Sequence, residues 1–90
     1  MKAVFIRIHG LVQGVFFRKH TKEKAVSLGI YGTVCNCSDG TVEIHAEGNN
    51  QSIDDFVQWC HKGPSAARVD KVDIHDTTLK NFQNFVILRG

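Results

Sequence analysis

Gly10-Leu11-Val12-Gln13-Gly14-Val15-Phe16-Phe17-Arg18 joins two segments of different period. Before it, residues 2–9 alternate. Val4, Ile6 and Ile8 share one face, and Phe5, Arg7 and His9 share the other, as in a half-buried strand. After it, residues 17–29 read as a helix with Phe17, Thr21, Ala25 and Leu28 on one face and Lys19, Lys22, Glu23 and Lys24 elsewhere. Gly29 suits the position that closes such a helix. The quoted stretch is therefore a strand-to-helix loop carrying two glycines and ending in an arginine. Glycine lets a backbone take positive φ and approach a ligand closely. The free N–H groups of a helix start carry partial positive charge. Arg18 adds a permanent charge and a planar donor fork that fits phosphate oxygens. The loop predicts a phosphate cradle.

Working outward, residues 30–36 are rich in β-formers, and Ser38-Asp39-Gly40 supplies hairpin turn chemistry. Thr41 to Glu47 alternates again, with Val42, Ile44 and Ala46 inward and Thr41, Glu43, His45 and Glu47 outward. Gly48-Asn49-Asn50-Gln51 reads as a turn, and Ser52 as a helix N-cap with Asp55 as its acidic partner. Ile53, Phe56, Val57 and Cys60 then form the clearest helical stripe in the chain, with Trp59 at its edge. Gly63-Pro64 ends that helix. In residues 68–75 the apolar parity shifts between Val69 and Val72, which predicts a bulge or a late strand start. Residues 76–83 are loop-like, and residues 84–89 alternate once more. The order βαββαβ with a short fifth strand predicts an α+β, ferredoxin-like sandwich, a mostly antiparallel sheet with two helices on one face. Ninety residues fit a single domain, expected to span 1–90.

Composition narrows the function. A net charge of +2 does not announce a nucleic-acid surface, yet it would not repel a small anion. The third strand offers Thr41, Glu43, His45 and Glu47 where an RNA-recognition module needs stacking aromatics and bases. No apolar run is long enough to span a bilayer and no secretory leader is recognisable, so a cytoplasmic protein without a membrane partner is expected. Three cysteines, Cys35, Cys37 and Cys60, are not a disulfide framework. Packing as small hydrophobes is the leading reading for them, and a redox or metal role for Cys35 and Cys37 the lesser one. The five histidines show no ligand spacing, and no metal or cofactor is expected. Phe16, Phe17, Phe56 and Trp59 are expected in the core.

The same residues carry a family resemblance. Gly10 to Arg18 resembles the first signature of the acylphosphatase family, G-x-V-Q-G-V-x-(F/Y)-R. Gly32-Thr33-Val34-Cys35-Asn36-Cys37-Ser38-Asp39-Gly40-Thr41-Val42-Glu43 resembles its second. Gly63-Pro64-Ser65-Ala66, Val69 and Phe85-Val86-Ile87 extend the likeness over essentially the whole chain. Thr33, Cys35 and Cys37 depart from it, standing where the family usually has a large residue, a basic residue and, frequently, threonine. Val34-Cys35-Asn36 also looks like the first domain of hydrogenase maturation carbamoyltransferases.

The resemblance implies a monomeric, metal-independent hydrolase that splits acyl phosphates, small molecules, into carboxylate and inorganic phosphate. It implies that Arg18 and the amides of Leu11, Val12, Gln13, Gly14, Val15, Phe16 and Phe17 bind the phosphoryl group. Asn36, neutral but able to donate and accept, would position the attacking water. The competing class is a non-catalytic domain that binds phosphate or carbamoyl phosphate, or regulates through it.

Overall fold

The computed structural model describes residues 1–89. Alternation sets the strands. The chain runs β1 (Lys2–Leu11), α1 (Phe17–Ser27), β2 (Tyr31–Asn36), β3 (Val42–Gly48), α2 (Asn50–Lys62), β4 (Arg68–Asp76) and β5 (Phe85–Ile87). The strands form one sheet in the order β4-β1-β3-β2-β5. All neighbours are antiparallel except β2 and β5, which run parallel. This is the expected ferredoxin-like α+β arrangement with its short fifth strand.

The core is the inward row of each strand packed against the helices. Val4, Ile6 and Ile8 of β1 and Val42, Ile44 and Ala46 of β3 are buried, and they cluster with Phe17 and Ala25 of α1 and Ile53, Phe56 and Cys60 of α2. Burying each of the Val, Ile and Phe side chains contributes about 1.5–3 kcal/mol. The parity shift in β4 is a real irregularity. His9 pairs with Lys71 but Gly10 with Val69, so Asp70 is the extra residue of a bulge. Gly10 permits the close approach there, since a Cβ at this position would lie 2.1 Å from the Arg68 carbonyl oxygen.

Three expectations change. The N-cap of α2 is Asn49, not Ser52: Asn49 Oδ1 accepts the Ser52 amide at 2.8 Å, so the helix starts inside the expected turn. An Asx residue three positions upstream takes the amide first. Phe16 is not in the core. It stands 75% exposed, with φ of 59° turning its side chain outward, while Phe17 is 1% exposed. Glu47 lies on the outer face as expected but is only 3% exposed, because the loop after β4 folds over it. Its carboxylate accepts the backbone amides of Lys80 and Phe82. Among the described residues no helix is long and apolar enough to cross a membrane.

Candidate active site

Three segments meet at one end of the sheet: the loop between β1 and α1, the end of β2, and β5 with the residues after it. Val12, Gly14, Phe16, Phe17, Arg18, Lys19, Asn36, Ile87 and Arg89 line a cavity of about 750 Å³ there. Each arrives for a local reason. Val12 is buried and anchors the loop to the core. Gly14 takes φ of +75°, a conformation that favours glycine, and lets the loop turn back. Phe17, also buried, fixes the first turn of α1 on the sheet. The alternation of β2 puts Asn36 on the face of Val34, under the helices, with Cys35 on the reverse face.

The helix start is open. Phe16, its N-cap, makes no side-chain cap bond, and no acidic residue lies in the first turn. The first intrahelical bond beyond the cap runs from the His20 amide to the Phe16 carbonyl. The amides before it are therefore free of intrahelical partners and carry the positive end of the helix dipole. Arg18, Lys19 and Arg89 add three cations. Among the described residues none of the three forms an ion pair within the chain. Among the described residues no Asp or Glu lines the cavity. This concentration of unneutralised positive charge suits an anion of phosphate size.

Among the described residues the same walls carry no histidine, cysteine, serine or threonine. Among the described lining residues the one neutral polar side chain with both donor and acceptor is Asn36. Its Oδ1 is buried and has no hydrogen-bond partner among the described residues. A buried amide oxygen left unpaired costs about 1–3 kcal/mol.

Gln13 bears on the loop in a different way. Its Nε2 donates to the Cys37 carbonyl at 2.8 Å and to the Thr41 carbonyl at 2.9 Å. It thus ties the loop to the hairpin that carries Asn36. Leu11 closes β1 opposite Arg68, and Val15 packs partly against the core. Leu11, Gln13 and Val15 do not line the cavity. The structure therefore brings together Val12, Gly14, Phe16, Phe17, Arg18 and Asn36 from the expected set. Lys19, Ile87 and Arg89 join them, missed by the sequence reading. Ile87 and Arg89 had no local signal, because their place follows from the parallel pairing of β5 with β2.

Comparison with known proteins shows the family. A sequence profile described as Acylphosphatase matches residues 4–87. The acylphosphatase of Thermotoga maritima is 46% identical over 87 residues, covering 97% of each chain. The crystal structure of the acylphosphatase from Bacillus subtilis superposes with a TM-score of 0.95 at 31% identity, over 98% of this chain and 99% of that one. HypF from T. kodakarensis matches at a TM-score of 0.88 and 30% identity, over all of this chain but only 12% of that one. With the profile spanning nearly every residue and full-length relatives close to half identical, the chain belongs to the acylphosphatase family.

Proposed function

We propose that this protein hydrolyses the carboxyl–phosphate bond of acyl phosphates, with Arg18 and the amides of Val12, Gly14, Phe16 and Phe17 holding the phosphoryl group and Asn36 positioning the attacking water. One observation carries the reading. A cavity rich in cations and free helix amides also holds an unpaired neutral amide, and its walls offer neither a nucleophile nor a general base. Such a wall suits a phosphate that is already activated. The leaving carboxylate is a weak base and needs no strong general acid. Charge in the transition state spreads over the phosphoryl oxygens, where Arg18 and the amides stabilise it by fixed position. Asn36 holds the water in line but cannot take its proton near pH 7. That proton passes to a phosphoryl oxygen of the substrate itself.

Lys19 and Arg89 stand at the same cavity and raise the local anion concentration. A small soluble substrate, a monomeric chain and action in the cytoplasm complete the proposal. The likeness to one part of HypF keeps a second reading alive, a domain that binds the phosphate group without hydrolysing it. Turnover of benzoyl phosphate by chelator-treated protein separates the two. Phosphate release in proportion to enzyme supports hydrolysis. Saturable phosphate binding with no turnover would leave the binding domain.

A further inference from the structure

The reverse face of the sheet carries a second cluster. Cys35 and Glu43 are register partners across β2 and β3, and Glu43 and Arg7 are partners across β3 and β1. Cys37, two residues beyond Cys35, points to the same side. The sulfurs of Cys35 and Cys37 and a carboxylate oxygen of Glu43 all lie within 4.8 Å of one another. All three residues are half-buried and all thiols in the chain are free.

The geometry points to a metal site here: Cys35, Cys37 and Glu43 bind a zinc-class divalent ion, on the face of the sheet opposite the phosphate cradle. Two thiolates and one carboxylate are the donor set of a borderline-soft ion, not of magnesium or calcium. Tetrahedral zinc, with Zn–S bonds of about 2.3 Å, holds its sulfurs about 3.8 Å apart. Side-chain rotations of under about 1 Å close the present spacing to that value. The fourth position is open to water. Binding replaces two S–H bonds by two metal–sulfur bonds and releases two protons to solvent, with no change of oxidation state.

The metal-free form has its own counterion. Arg7 pairs with Glu43, and its Nη1 also reaches Asp39 Oδ2 at 3.2 Å and Thr41 Oγ1 at 3.3 Å. Glu43 can therefore turn to a metal while Arg7 keeps Asp39 and Thr41. The site clips the hairpin that carries Asn36, from behind.

The test uses reduced, metal-free protein titrated with Co²⁺. We expect one ion per chain, a thiolate-to-cobalt charge-transfer band, and its loss when Zn²⁺ is added. Cys35→Ser should remove most of the band and weaken binding at least tenfold. Glu43→Gln should keep the band but weaken binding about tenfold. Cys60→Ala, deep in the core on the other side of the sheet, should change neither. Saturating Zn²⁺ should also protect Cys35 and Cys37 of the unmodified protein from iodoacetamide, read by mass spectrometry, which needs no variant to fold. No band at one ion per chain, a band unaffected by Cys35→Ser, one ion shared by two chains, or unprotected thiols under saturating Zn²⁺ would overturn the site. Activity on acyl phosphates enters none of these readouts.

Discussion

Removing the Gln13 amide should loosen the site without touching its cavity wall. In Gln13→Leu, the bonds at 2.8 and 2.9 Å to the Cys37 and Thr41 carbonyls are lost, while side-chain volume is nearly kept. Each neutral hydrogen bond contributes a net of about 0.5–1.5 kcal/mol. Both carbonyls keep another donor: the Gly40 amide on Cys37 at 3.1 Å and the Cys37 amide on Thr41 at 2.8 Å. Neither is orphaned, so the sum sits low, at about 1–2 kcal/mol. For a domain of this size that lowers Tm by roughly 5–15 °C. Function should suffer more. A displacement of about 1 Å between reacting groups can cost on the order of 100-fold in rate, and Gln13 sets the spacing of cradle and hairpin. We expect kcat on benzoyl phosphate to fall about 10- to 100-fold, with inorganic phosphate binding changed less than threefold. The assay is steady-state hydrolysis at a temperature well below the variant's Tm, paired with thermal unfolding and phosphate titration. Wild-type kcat in Gln13→Leu would refute the coupling. A Tm drop with unchanged kcat would make Gln13 a stability residue alone.

Arg18→Lys should lose at least about 100-fold in kcat/KM on benzoyl phosphate, because a point charge cannot replace the two-pronged fork; near-wild-type turnover would count against the assigned role. Asn36→Ala should abolish turnover yet keep phosphate affinity within a few-fold by titration calorimetry, whereas loss of both would make Asn36 an anion ligand. Hydrogen bonds from the Thr41 hydroxyl and amide, and then the charge of Arg7, hold the Asp39 carboxyl below its ordinary value. The stability this adds is present above the unfolded carboxylate pKa of about 3.9 and lost as pH falls through the folded value. In urea unfolding, wild type should therefore exceed Asp39→Asn at pH 6–7, with the gap closing below about pH 4. Asn49→Ala should destabilise by about 1 kcal/mol in the same assay, while Ser52→Ala, with only its backbone amide engaged, should stay within about 0.5 kcal/mol.

What could be read from the chain depended on how local its cause was. Val4, Ile6 and Ile8, or Ile53, Phe56 and Cys60, announce their faces by spacing alone, and the structure buries every one of them. The turn into α1 was legible at Gly14 and Arg18, whereas Gly10 lies within β1 and serves the bulge of β4 instead. Phe16 was misplaced because its φ of 59° is set by the turn, and burial patterns say nothing of φ. Asn49 and Ser52 are both good caps, and three residues of register decide between them. Glu47 looked like a surface carboxylate because the amides that it binds, at Lys80 and Phe82, come from a loop more than thirty residues away. Arg89 was missed for the same reason, since its place at the cavity depends on the pairing of β5 with β2.

The wall formed by β5 has a dynamic consequence. β5 is three residues long, lies at the sheet edge and is held to β2 through Gly32, Thr33 and Val34. Short edge strands open with a fraction of the free energy of global unfolding. Phe85 is the buried anchor, whereas Val86 and Ile87 are exposed. Brief opening of β5 would swing Ile87 and Arg89 away from the cavity while Arg18 and Asn36 stayed on the rigid remainder. Amide exchange should then be faster at Leu88, whose N–H bonds the Val34 carbonyl, than at Ile6 or Ile44 in the central strands. Product carboxylate and phosphate gain an exit on that side that does not require the fold to loosen.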